Sequence, residues 1–222
     1  MGLAKRDHIR SILELPRVAA AWEQTHGTVP GATDLDALYR DFLPKQTACL
    51  EHFCTVIEGV PATSEGLRSR GIRIGSTTGY TREMLEYLLG NARWQGFTPD
   101  CAVCPQDVPG GGRPAPWMCY LNAIRLEANP LWSMVKIGDT PSDIDEGRNA
   151  GMWTVGVTRT GNEAGLTEEE WNAASAQERR DVLEIARRRL LSAGAHYLIE
   201  SAGDCLDLID EISGRIASGE RP

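Results

Sequence analysis

Between Asp7 and Gln24 apolar residues recur at helical spacing, at Ile9, Ile12, Leu13, Val18, Ala21 and Trp22, with Pro16 placed to kink the helix. Gly27 to Gly31 reads as a loop, and a second helical stretch runs from about Asp34 to Ile57, interrupted near Pro44. Nothing before Gly59 has the pattern of a buried parallel strand. After Gly59 short apolar runs alternate with amphipathic stretches. Ile72–Thr77, Ala102–Val103, Met134–Ile137, Trp153–Val157 and His196–Ile199 predict five strands. A helix carrying Met84, Leu85, Leu88 and Leu89 follows the first, and others are predicted over Trp117–Leu126, Ser142–Ala150 and Ala176–Leu191. Such alternation predicts an α/β fold, a parallel sheet covered by helices on both faces. The chain divides accordingly into a helical part, 1–57, and a sheet-forming part, 58–222.

Composition narrows the partners. The 222 residues carry 23 Lys plus Arg against 31 Asp plus Glu, a net charge of -8, which argues against nucleic acid or an anionic membrane. No apolar run reaches the roughly 20 residues needed to span a bilayer, and the start is polar rather than leader-like, so a cytoplasmic location is expected. Cys101 and Cys104 form a Cys-x-x-Cys at a strand end, but no second ligand pair follows at zinc-ribbon spacing. Buried cysteine is the simpler reading there.

Three strand ends carry the chemistry. In Lys136-Ile137-Gly138-Asp139-Thr140-Pro141-Ser142-Asp143 a strand ends in glycine, and two carboxylates follow at i and i+4 where a helix begins. Ligands of open α/β sheets bind at such carboxyl ends, and hard cations such as Mg²⁺ take carboxylate oxygens there. Helix capping by Ser142 or Asp143 explains one of the acids but leaves Asp139 unaccounted for. Gly75-Ser76-Thr77-Thr78-Gly79-Tyr80 places hydroxyls beside a helix N-terminus, where a phosphate oxygen is favoured, although Ser/Thr-Gly turns also merely cap helices. Gly110-Gly111-Gly112-Arg113-Pro114 presents one guanidinium suited to bidentate phosphate binding, or else a solvated loop arginine.

Hydroxyl, cation and paired carboxylates in this chain order resemble motifs two, three and four of the haloacid dehalogenase superfamily. Met1 to His8, Gly75 to Arg82, Arg113 to Tyr120, Gly147 to Val157, Gly165 to Glu170 and Gly194 to Tyr197 resemble the phosphonoacetaldehyde hydrolase family in particular, so the resemblance covers essentially the whole chain. It implies a Rossmann-like core under a helical cap, the cap lying in residues 1–57, and hydrolysis of phosphonoacetaldehyde to acetaldehyde and phosphate. It further implies that Lys5 forms an imine with the substrate aldehyde, and His8, on the same helical face, is placed to assist proton transfer. Asp139 and Asp143 would hold or orient Mg²⁺, Thr78 would contact the phosphoryl group and Arg113 would neutralise it, with Tyr80 and Thr140 as further pocket residues. A homodimer formed through the cap is also implied. Without the resemblance, Lys5 is a surface lysine and His8 a surface or capping histidine.

Members of the superfamily begin with a strand ending in an Asp-x-x-Gly-Thr type motif, whose aspartate attacks phosphorus. Asp7, Asp34 and Asp36 stand in helical contexts and none is followed by Gly-Thr. The first core strand is therefore expected to be missing from these residues, with Met1 an internal methionine of a longer natural protein. Two other functions stay open at this point: an ordinary phosphate monoesterase, which would not need Lys5, and an inactive fragment that binds phosphate.

Overall fold

The computed structural model describes residues 2–222; Met1 lies outside the described residues. Three helices come first, α1 (Lys5–Leu13), α2 (Pro16–His26) and α3 (Ala32–Cys49), with α1 packed on both others. The predicted kink at Pro16 is instead a break between two helices. Glu14 and Leu15 separate them, and Pro16 opens α2 at its first position, where its missing N–H is not needed. The predicted interruption at Pro44 is not there. Helix α3 runs through it, since proline removes one ladder bond but does not oblige an exposed helix to stop.

From α4 (Val60–Ser69) the chain alternates: β1 (Gly75–Thr77), α5 (Arg82–Trp94), β2 (Cys101–Val103), α6 (Trp117–Arg125), β3 (Val135–Gly138), α7 (Pro141–Asn149) and β4 (Trp153–Val157). There follow α8 (Glu168–Ala173), α9 (Ala176–Ser192), β5 (Tyr197–Ile199) and α10 (Leu206–Ala217). All pairing is parallel. β1 pairs with β2, and β3-β4-β5 form a second sheet with β4 central, Val135 opposite Trp153 and Val155 opposite Tyr197. Every residue of β4 is buried, which is why it carries no charge and only one polar residue, Thr154. Trp153 and Val155 pack against Ile212 of α10. On the opposite face Gly156 leaves room for Leu190 of α9, and Ile144 of α7 joins Leu190 and Ala195.

The two sheets do not join. Thr78 N–H bonds to Val103 on one side, and Trp153 N–H bonds to Met134 on the other. By strand alternation, the backbone groups of Gly75 and Thr77 face β3, while those of Val135 and Ile137 face β1. Between these edges lies a channel flanked by α4, α6 and α10.

Candidate active site

The channel and its mouth at the carboxyl ends of the strands form one cavity of about 760 Å³. Lys5, Thr78, Tyr80, Arg113, Asp139, Thr140 and Asp143 all line it; His8, one turn beyond Lys5, does not. Local sequence explains the convergence. Gly138 ends β3 without a side chain, and a Cβ there would run into Asp143. Thr140 caps α7, accepting from Asp143 N–H and donating its hydroxyl to Asp143 Oδ2 at 2.6 Å. Its hydroxyl is thus already committed, which weakens the expectation that Thr140 serves the substrate. Gly79 lets the N-terminal segment cross β1, for a Cβ would collide with Leu3 O and lie 3.0 Å from Gly2 O. That crossing carries Lys5 to the cavity, with its Nζ 4.2 Å from the Tyr80 ring centroid.

Arg113 is not a solvated loop arginine; its side chain is only 8% exposed. Its Nε donates to Glu146 Oε2 at 2.9 Å, and its Nη2 lies 2.7 Å from Thr77 O and 2.9 Å from Asp143 Oδ1. Lys136 completes a buried group of two cations and two anions, with Nζ 2.7 Å from Glu146 Oε2 and 3.4 Å from Asp143 Oδ1. Thr77 Oγ1 bridges it, 2.5 Å from Lys136 Nζ and 2.9 Å from Glu146 Oε2. Neither Lys136 nor Glu146 was anticipated among the site residues. Lys136 sits in the middle of an apolar strand and Glu146 inside a helix three residues after Asp143; a charge at each of two facing core positions is the signal that could have found them.

Charge and burial set the protonation states. Burial lowers the Lys5 pKa below that of an ordinary lysine, and the positive charge of Arg113 lowers it further. His8 is held low chiefly by burial, then by neighbouring positive charge that includes Lys5. Burial raises the Tyr80 phenol, with the negative charge of Asp139 adding to it. Burial alone would raise Asp143 as well, yet Lys136, Arg113 and the Thr140 hydroxyl outweigh it and hold the carboxyl below its usual range.

For a divalent cation the two acids differ. Asp139 Oδ2 accepts from Asn162 N–H and Nδ2 at 2.9 and 2.6 Å, leaving Oδ1 without a hydrogen-bond partner among the described residues. Asp143 spends Oδ1 on Arg113 and Lys136 and Oδ2 on Thr140. Among the described residues no group of three or more His, Cys, Asp or Glu gathers as a ready metal cage. One carboxylate oxygen left free in the cavity fits a hard divalent cation that completes its shell with water and phosphate.

A family model described as haloacid dehalogenase-like hydrolase matches residues 2–157, and the chain belongs to that class. The solved structure of a phosphonoacetaldehyde hydrolase-like protein from Oleispira antarctica matches with a TM-score of 0.96 and 39% identity, over 100% of this chain and 80% of that one. Phosphonoacetaldehyde hydrolase of Bacillus cereus (strain G9842) is 47% identical over 212 residues, 96% of this chain and 80% of that protein. The Nitratidesulfovibrio vulgaris protein of the same name is 45% identical over 222 residues, 79% of its length. Within its class, the chain is a member of the phosphonoacetaldehyde hydrolase family.

Proposed function

We propose that the protein hydrolyses the carbon–phosphorus bond of phosphonoacetaldehyde to acetaldehyde and phosphate, with Lys5 as the imine-forming amine. One observation carries the reading: a half-buried amine with a lowered pKa shares a cavity with Arg113 and two aspartates. A phosphate monoesterase has no use for such an amine. Names of relatives 45–47% identical support the substrate.

The chemistry explains the need. Direct cleavage of the C–P bond would leave an unstabilised carbanion. Neutral Lys5 Nζ adds to the aldehyde carbon, the carbonyl oxygen leaves as water, and a protonated imine results. When a carboxylate attacks phosphorus, the C–P electron pair flows toward the imine nitrogen and an enamine departs. Protonation at carbon and hydrolysis then release acetaldehyde and free Lys5, while water frees phosphate from the acyl phosphate. His8, its pKa lowered by burial and by neighbouring positive charge, stands one turn beyond Lys5, outside the cavity lining, and serves these proton transfers from there. Thr78 Oγ1 accepts from Tyr80 N–H, so its own O–H is available to a phosphoryl oxygen. Tyr80, kept protonated, carries Lys5 on its ring. Arg113 answers the phosphoryl charge. Mg²⁺ would be held by Asp139, with Asp143 ordered behind it, and when bound supplies further charge neutralisation.

The attacking carboxylate belongs, in this reading, to a strand seated in the channel between β1 and β3. Two facing parallel edges that do not pair with each other, and the partnerless buried Asn122 Oδ1 beside β1, support a strand seat there. The same reading takes residues 1–57 as the cap. It places a homodimer interface on the cap's exposed Leu15 and Val29. Six free cysteines accord with a cytoplasmic setting, and no described helix is long and apolar enough to cross a membrane.

The test is reductive trapping. Sodium borohydride added with phosphonoacetaldehyde should fix a carbon adduct on Lys5, located by peptide mass mapping and absent from Lys5→Arg. Failure to trap, together with phosphate release from a simple phosphate ester that Lys5→Arg leaves intact, would make the protein an ordinary monoesterase.

A further inference from the structure

Glu146 is fully buried on α7, away from the cavity lining, and takes part in no step described above. Its Oε2 nevertheless accepts three short contacts, from Arg113 Nε at 2.9 Å, Lys136 Nζ at 2.7 Å and Thr77 Oγ1 at 2.9 Å. Its Oε1 is buried without any partner. Burying a carboxylate this completely is costly, and an apolar residue of similar size often serves stability equally well. Local stability therefore does not account for it.

We propose that Glu146 is a positioning residue that fixes the orientation of the Arg113 guanidinium, and through it the affinity of the site for a phosphoryl group. The geometry gives the reason. Glu146 holds Arg113 by Nε, while Thr77 O and Asp143 hold it by Nη2. Nη1 has only a long contact, 3.4 Å to Gly2 O. The fork is thus pinned through Nε and Nη2, and Nη1 is the nitrogen left most free on a side chain that lines the cavity. A planar fork binds an anion well only in a fixed orientation. The inference rests on the reading of Arg113 as the phosphoryl partner.

Simple charge balance predicts the opposite effect, which makes the test sharp. Arg113 and Lys136 against Asp143 and Glu146 form a neutral group, so removing the Glu146 charge alone should attract an anion more strongly. Positioning predicts that the loss of order wins. The experiment titrates inorganic phosphate into the full 222-residue chain by calorimetry at fixed ionic strength, with folding checked by circular dichroism. Glu146→Gln should weaken binding about tenfold or more, the scale of one charge-assisted hydrogen bond. Glu146→Asp should restore part of it. In an Arg113→Lys background, Glu146→Gln should add nothing further. Unchanged or tighter binding by Glu146→Gln, with Arg113→Lys weak, overturns the positioning role and leaves the phosphate site standing. No binding by the wild-type chain would sink the site reading and this inference with it. Should Glu146→Gln fail to fold, Lys136→Met/Glu146→Gln removes one charge of each sign. It must bind phosphate more weakly than Lys136→Met alone; equal binding refutes the proposal.

Discussion

Arg113→Met is the most informative single perturbation of the buried charge group. The substitution keeps much of the side-chain volume but leaves Asp143 and Glu146, both almost fully buried, to share Lys136. Breaking a buried pair on one side costs about 3–5 kcal/mol because the remaining charge is left uncompensated. Against a total of roughly 5–15 kcal/mol for a domain, that is a large share. For a chain of this length each kcal/mol moves the melting point by about 2–4 °C, so a drop of roughly 6–20 °C is expected. The pH dependence supplies a second signature. Asp143 has a depressed pKa when folded, so its contribution is present above its unfolded pKa and is lost as pH falls through the folded value. Arg113 is one of the charges that depress it. The variant should therefore have a smaller contribution to lose and begin protonating at a higher pH than the wild type. Melting curves between neutral pH and pH 3, followed by intrinsic fluorescence, measure both. A variant melting within about 2 °C of wild type at neutral pH, with an unchanged acid limb, would refute the view that these ion pairs are mutually dependent.

Because the Lys5 pKa is lowered, borohydride trapping should rise with pH and level off well before an ordinary lysine would, and a profile still climbing near 10.5 would contradict it. Asp139→Asn should weaken Mg²⁺ binding measured by calorimetry, since Oδ1 is the carboxylate oxygen with no other partner among the described residues; equal affinity would remove Asp139 as a ligand. Gly79→Ala should slow trapping at Lys5 and cost about 1–3 kcal/mol, as the new methyl displaces the segment at Leu3; a normal trapping rate would show that the crossing does not place the amine. Leu15→Glu should convert a dimer to monomers in sedimentation velocity, because Leu15 is 52% exposed on a helical region whose α2 buries nothing; an unchanged sedimentation coefficient would move the interface elsewhere.

Much of the core was legible because burial on both faces writes an unambiguous pattern. Trp153–Val157 was bounded from sequence at the same residues that form β4, and the long charged helix from Ala176 differs from α9 by one residue at its end. The apolar pattern predicts a longer first strand than the one that forms. Ile72 to Ile74 lie outside β1, and Asp100 holds Ile74 N–H through its side chain rather than through a ladder. Prolines misled in both directions. Pro16 separates two helices and Pro44 separates none, since hydrophobic period alone does not reveal which backbone bonds a tertiary environment can forgo.

The site was legible where its residues stand at strand ends and obscure where they stand behind them. Thr78 and Asp139 stand just past strand ends, Arg113 in the loop after β2 and Asp143 in the first turn of α7, positions in which an α/β sheet offers side chains to a ligand. Lys136 and Glu146 occupy core positions, and a single sequence registers them as exceptions to the apolar pattern without showing that they face each other. Facing is fixed by the register of β3 against β4 and by the tight seat of α7, where a Cβ on Gly147 would touch Lys136 and Thr154. Helix α7 is capped by Thr140 rather than by Ser142 or Asp143, which leaves Asp143 as a site residue. The Thr140 hydroxyl orders the Asp143 carboxylate through Oδ2 and Arg113 orders it through Oδ1, so the cap of the helix and the charge group hold one carboxylate at two edges.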